Sequence, residues 1–245
     1  MLGLPDNITA CLFDMDGVIT QTAKVHDAAW KEMFDGFLQD WSKAHGEPFK
    51  PFDPVADYDD YVDGKPRLEG TASFLESRGI KLPDGEESDP PGKQTVYGLS
   101  NQKNALVQQV IERDGVQPYE GSVRYVHAAR QAGLRTAIVS SSANTAAVLK
   151  AAGVEDLFEV RVDHQVAEEH HLKGKPAPDT FLQAAKMLGA DAANAVVYED
   201  ALAGVAAGRA GKFGFVIGVD RVGQADQLHA HGADVVVQDL AELLP

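Results

Sequence analysis

The apolar run Ile8-Thr9-Ala10-Cys11-Leu12-Phe13 ends directly in Asp14-Met15-Asp16-Gly17-Val18, and no other stretch constrains the fold as strongly. The run reads as a buried strand of a parallel sheet. Gly17 and the Thr20-Gln21-Thr22 turn then break the pattern. Two carboxylates two residues apart, just past the end of a core strand, lie where open α/β sheets place their ligands. Such a pair repels itself unless a cation or a proton sits between. It is therefore either a metal-dependent active site or a solvated turn, and the pair alone leaves both open.

The rhythm of the chain changes twice. Helical spacing of Ala29, Trp30, Met33, Phe34, Phe37, Leu38 and Trp41 predicts a helix over 23–41. A polar segment with Pro48, Pro51 and Pro54 follows. Then come a loop at 61–67, a helix near 68–78, a turn-rich loop over 80–93 and a helix over 101–114. Nothing in this part reads as a core strand. From Pro118 onward, strand-like runs at 136–139, 158–162, 195–198, 213–217 and 234–237 alternate with helical patterns at 123–131, 143–152, 178–188, 201–210 and 224–231. That alternation implies βαβ units and one parallel sheet. The expectation is an α/β core domain (1–21 and 116–245) interrupted once by an α-helical domain (22–115).

Charge limits the partners. Acidic residues outnumber Lys and Arg 37 to 22, for a formal net charge of −15. A nucleic-acid partner would need clustered basic residues, so none is expected. An anionic substrate must instead meet a local cation. Cys11 is the single cysteine, which excludes an intrachain disulfide and a Cys-based zinc site. Residues 1–5 lack the pattern of a signal peptide and no stretch reaches the ~18 apolar residues of a spanning helix. A cytoplasmic, monomeric protein with no membrane partner is expected.

Further candidate chemistry collects where other strands end. After Val139 comes Ser140-Ser141-Ser142-Ala143-Asn144-Thr145, hydroxyls and an amide that suit a phosphate at a helix start. The same residues suit a plain N-cap. Lys175 stands among prolines before the next helix, and is either an aimed cation or a solvated lysine. Tyr198-Glu199-Asp200 ends a further strand with two adjacent acids. Together Asp14, Asp16, Glu199 and Asp200 form a set of hard oxygen donors of the kind Mg2+ takes. The run containing His164, His170 and His171 reads as a solvated loop, since a transition-metal site needs more arranged partners. Gly204, Gly208 and Gly211 read as close packing of a helix on the sheet, not as a membrane pairing face.

The ordered set resembles the haloacid dehalogenase superfamily of aspartyl phosphotransferases. Asp14 to Val18, Ser140, Lys175 to Asp179 and Glu199-Asp200 match its four motifs in order, over nearly the full chain. The resemblance implies a Rossmann-like core with an α-helical cap inserted between the first and second motifs. It also implies roles: Asp14 as nucleophile, Asp16 as general acid and base, and Ser140, Ser141 and Lys175 as phosphate ligands. Mg2+ would be held by Asp14, the backbone carbonyl of Asp16 and Asp200, with Glu199 helping directly or through water.

A finer similarity, carried by Asp14 to Thr20 with Thr22, His26 and Trp30, is to the β-phosphoglucomutase branch. A mutase must hold a bisphosphate by both ends. In that branch a cap arginine and polar residues just after the second motif form the second, distal phosphate site, and Gly64, Arg67, Ser142 and Asn144 stand at the matching places. Arg67 suits a phosphate through its planar fork; a solvated helix-start arginine is the plainer reading. The sequence departs from the branch at Asp63, Ala143 and Gln21, positions that bear on the sugar and not on the chemical step. The implied activity is conversion of β-glucose 1-phosphate to glucose 6-phosphate, with the cap closing to exclude water. A sugar-phosphate phosphatase is the alternative, and a catalytically silent phosphate-binding module a third.

Overall fold

Strand β1 (Ala10–Asp14) is buried along its whole length, as the apolar run requires. In the computed structural model, which describes residues 2–245, it lies inside a six-stranded sheet. The other strands are β2 (Arg135–Val139), β3 (Val160–Val162), β4 (Ala195–Glu199), β5 (Phe215–Val219) and β6 (Val235–Val237). Their order is β3-β2-β1-β4-β5-β6, and every pairing is parallel. Parallel strands need crossovers, and helices supply them. These are α4 (Glu120–Gln131), α5 (Thr145–Ala151), α6 (His164–Glu169), α7 (Asp179–Leu188), α8 (Leu202–Ala210) and α9 (Ala225–His231).

Successive side chains of a strand face opposite sides of a sheet, which explains why β1 tolerates no polar residue before Asp14. Ala10 and Leu12 pack with Ala137, Val139, Val197 and the α7 residues Phe181, Ala184 and Leu188. On the other face Phe13 stacks on Tyr198 at 4.3 Å between centroids. The Tyr198 hydroxyl lies 2.9 Å from that of Tyr125, and Tyr125 donates to the Leu2 carbonyl at 2.9 Å. The two buried phenols are thus satisfied.

The chain forms two compact units, Met1–Thr22 with Val116–Pro245, which holds the sheet, and Ala23–Gly115. The second unit contains α1 (Ala23–His45), α2 (Arg67–Ser77) and α3 (Val96–Asp114), and no strand among its described residues. The stripe read from the sequence is its core: Trp30, Met33, Phe34, Phe37 and Leu38 pack with Phe52, Phe74, Leu75 and Leu99. Phe34 is the hub, with ring centroids 4.0 Å from Phe74 and 5.3 Å from both Phe52 and Trp30. The loop over 80–93 is organised by buried Asp89, which accepts from Lys93 Nζ at 2.6 Å and Thr95 Oγ1 at 2.7 Å. Thr95 in turn accepts from the Gly98 amide at 2.9 Å. That cap starts α3 at Val96, five residues before the apolar spacing alone indicates.

Other boundaries differ from expectation too, two of them with clear local causes. His164–Glu169 is a short helix, not a solvated loop, because the Asp163 side chain accepts from the Val166 amide and caps it. The run at 213–217 is strand only from Phe215. Gly214 sits so close to the Ala193 carbonyl that a β-carbon would overlap it, and Phe213 packs into the core as the chain turns. Among the described residues, no helix is long and apolar enough to cross a membrane. Burial pushes the Cys11 thiol up to about 12, with the Tyr198 hydroxyl opposing it. Native protein at pH 8 is therefore expected to resist thiol reagents and to label one-to-one only in denaturant; rapid labelling of the folded chain, followed by absorbance, would contradict this packing.

Candidate active site

Strand order reverses between β1 and β4, because β2 and β3 lie on one side of β1 and β4 to β6 on the other. The crevice at such a switch point, beyond the carboxyl ends of the strands, is where an α/β sheet binds its ligand. Phe13 pairs with Tyr198 across that switch, so the next residues, Asp14 and Glu199, come abreast at its mouth. Oxygens of Asp14, Glu199 and Asp200 all lie within 4.8 Å of one another. Among the described residues they are the one His/Cys/Asp/Glu group arranged to hold a metal ion.

A single cation serves this group from inside the protein. Lys175, 2% exposed, donates to both Asp14 Oδ1 and Glu199 Oε1, and its ammonium lies 5.0 Å from the Phe181 ring centroid. The other Glu199 oxygen accepts from the Ala201 amide at 2.9 Å. Two glycines make room for the acids. Gly204 lies where a β-carbon would overlap the Glu199 carboxyl, and Gly17, at φ +89°, would bring one onto that of Asp200.

The electrostatics follow from this crowding. Burial pushes the Asp14 carboxyl well above the usual carboxylate range, Lys175 opposes the rise, and Glu199 and Asp16 add to it. Burial works against the Lys175 charge, but Asp14 and Glu199 outweigh it and hold the ammonium's pKa above its ordinary value. One ammonium thus stands among three carboxyl groups, more acid than it can pair with. The donor set, all carboxylate oxygen, fits a hard divalent cation.

Asp16 is held apart from that group. Its Oδ1 accepts from the Thr22 hydroxyl, which lies 2.7 Å from the Thr20 hydroxyl. Its Oδ2 faces the Ser140 hydroxyl at 3.4 Å, longer than an ordinary O–H···O bond and readily exchanged for a better acceptor. The turn that aims Asp16 is closed by the Gly17 amide donating to the Thr20 carbonyl at 2.8 Å. Ser140 is buried at the end of β2 and also accepts from the Ser142 amide at 3.1 Å. Ser142 Oγ accepts from the amide of buried Asn144 at 3.1 Å, and Ser141 is half-buried between them. The serines thus brace their own loop and Asp16; the Asn144 side chain does not cap α5.

In the helical unit, Trp30 is buried against Phe34, and His26 sits one turn earlier on α1. Lys103 donates to His26 Nδ1 at 2.8 Å and lies 4.7 Å from the Trp30 ring centroid. Sequence reading missed Lys103, although a signal existed. It occupies a buried place between Leu99 and Val107 at i, i+4 spacing, where a lysine is out of character. Arg67 opens α2 and is half-buried, with its Nε shielded from solvent and unbonded. It is therefore not the freely solvated arginine of the plainer reading. Gly64 takes φ +70° in the preceding turn. Lys65 folds back onto the carbonyls of Asp60 and Tyr61 at 3.2 and 3.0 Å.

The family model of haloacid dehalogenase-like hydrolases matches residues 8–212. The chain is 54% identical over 247 residues to a β-phosphoglucomutase of Mycobacterium tuberculosis, covering all of this chain and 94% of that one. It is 30% identical over 239 residues to a β-phosphoglucomutase of Bacillus subtilis, covering 96% and 91%. The crystal structure of a β-phosphoglucomutase from Clostridium difficile superposes with a TM-score of 0.73 at 26% identity, over 96% of this chain and 93% of that one. Four motifs in order, a sheet whose switch point gathers three of their acids, and these similarities agree: the chain belongs to the haloacid dehalogenase-like hydrolase family, on its β-phosphoglucomutase branch.

Proposed function

We propose that this protein catalyses Mg2+-dependent phosphoryl transfer on a small sugar phosphate through an aspartyl phosphate at Asp14, converting β-glucose 1-phosphate to glucose 6-phosphate. The observation that carries the reading is the placement of one buried ammonium, Lys175, against Asp14 and Glu199, with the Asp200 carboxylate within 4.8 Å. The likeness to two β-phosphoglucomutases over nearly their whole length supports the choice of substrate.

Lys175 holds Asp14 Oδ1, which leaves Oδ2 to attack phosphorus. The bond from phosphorus to the leaving oxygen breaks as Asp16 gives that oxygen its proton. Asp16, now a carboxylate aimed by Thr22, then takes the proton of the sugar hydroxyl that attacks the aspartyl phosphate, and Asp14 is regenerated. Ser140, Ser141 and Lys175 offer donors to the equatorial oxygens of the transferring group. Asp14, the Asp16 carbonyl and Asp200 would hold Mg2+, which when bound offsets the repulsion between carboxylate and phosphate dianion. Glu199, with one oxygen on Lys175 and the other on the Ala201 amide, serves chiefly to fix the lysine. In the helical unit, Arg67 offers its fork to the second phosphate of a bisphosphate, and Ser142 and Asn144 offer polar groups in the core.

With Mg2+ and β-glucose 1-phosphate, primed with the bisphosphate, the protein is expected to yield glucose 6-phosphate in a coupled dehydrogenase assay. Release of free phosphate alone would assign a phosphatase instead, with water as the acceptor. Asp16→Ala is expected to lower turnover of every phosphate ester by about 10²–10⁴-fold, the usual worth of a general acid–base; an unchanged kcat would remove Asp16 from the reaction. Arg67→Ala is expected to slow isomerisation by about tenfold or more, as loss of a charge-assisted contact does, while hydrolysis of a simple ester stays near wild type. Equal losses in both assays would dismiss the second phosphate site.

A further inference from the structure

The turn carrying Asp14 and Asp16 and the turn carrying Glu199 and Asp200 belong to different strands, and both are held from outside by one loop that none of the four motifs includes. We infer that Arg221 and Gln224, in the loop between β5 and α9, are positioning residues of the phosphoryl-transfer site, clamping the two acid-bearing turns in register. The inference rests on the proposed function and extends it to residues that touch neither substrate nor metal.

Arg221 Nε donates to the Gly17 carbonyl at 2.8 Å, one residue past Asp16. Gln224 Nε2 donates to the Asp200 carbonyl itself at 3.1 Å. Each bond falls on the backbone of an acid-bearing turn, so each sets where a carboxylate points without competing for its oxygens. The two turns need such restraint because they interlock: Gly17 lies directly against the Asp200 carboxyl, where even a methyl group does not fit.

The loop is rigid enough to act as a clamp. Asp220 Oδ1 accepts from the amides of Val222, Gly223 and Gln224 at 3.2, 2.7 and 2.9 Å, an Asp-capped turn of the kind that fixes backbone locally. The Asp220 amide donates to the Val237 carbonyl at 2.8 Å, tying the loop to the end of β6. Arg221 is anchored three ways besides Gly17. Its Nη1 donates to the Gln238 carbonyl at 2.7 Å, its guanidinium lies 3.6 Å from the Tyr119 ring centroid, and Asp239 Oδ2 stands 3.6 Å from Nη1. Its side chain is only 15% exposed. A planar fork held over an aromatic face with bonds in two directions is a role lysine fills only in part.

The test uses Arg221→Met, Arg221→Lys and Gln224→Met in the full chain, with two readouts: kcat and KM on the sugar phosphate, and the Mg2+ concentration that half-saturates a thermal shift without substrate. Outer partners of metal ligands are typically worth 10–100-fold in affinity or activity. Arg221→Met and Gln224→Met are each expected to lower kcat by about that factor, to raise the Mg2+ half-saturation by about tenfold or more, and to change KM less than twofold. Arg221→Lys, which keeps one donor for Gly17, is expected to recover most of the loss. A merely structural role would lower the melting temperature and leave kcat and Mg2+ affinity intact well below it. Folded Arg221→Met and Gln224→Met variants with wild-type kcat and Mg2+ affinity would overturn the inference; should Arg221→Met not fold, the same result in Gln224→Met alone suffices. A wild-type protein that binds Mg2+ but turns over no phosphate ester sinks the proposed function, while the Mg2+ readout still decides the clamp. One that neither binds Mg2+ nor turns over an ester overturns both.

Discussion

The contact on which the site depends is the double ion pair of Lys175 with Asp14 and Glu199. All three groups are buried, and burying a charge is costly unless partners answer it. Here each charge has an opposite neighbour, yet the balance stays negative once Asp200 is counted. The fold thus stops short of neutralising its own acids, a donor set of the kind that suits a hard divalent cation.

Everything around the pair serves to hold it. The parallel register sets Asp14 beside Glu199. The apolar faces of β1 bury Leu12 on one side and Phe13 on the other, worth on the order of 1.5–3 kcal/mol per large side chain, and so fix the strand that carries Asp14. Gly17 and Gly204 take away the two β-carbons that would collide with Asp200 and Glu199. The result is a set of carboxylates whose positions are determined by backbone and packing, as preorganised electrostatic catalysis requires.

Much of this was legible in residue order, and the exceptions have physical causes. The parallel sheet, the helical interruption and the aromatic stripe of α1 are repeating patterns, which a sequence displays directly. The helix at His164–Glu169 was not, because it is a single capped segment with no buried residue and hence no apolar period. The early start of α3 depends on the Asp89–Thr95 bond, and no apolar spacing announces it. Lys103 left only a faint trace, a charge at a place in the stripe of α3 where an apolar residue belongs. Arg221 and Gln224 left none, since each acts through a backbone carbonyl some 200 and 24 residues away in the chain.

By itself the sequence determined which groups were available: two acids after the first strand, a serine run, a lysine among prolines and two more acids after a later strand, in an order that marks the family. Each had a plain alternative as a cap, a solvated lysine or an exposed turn. Only the tertiary structure decided among these, because a residue's chemistry is set by burial and by the distance to partners that the chain's order does not encode. Lys175 becomes a site cation by being shut in with two carboxylates, and Asp16 stands apart from the other acids with one oxygen bonded to Thr22 and the other facing Ser140.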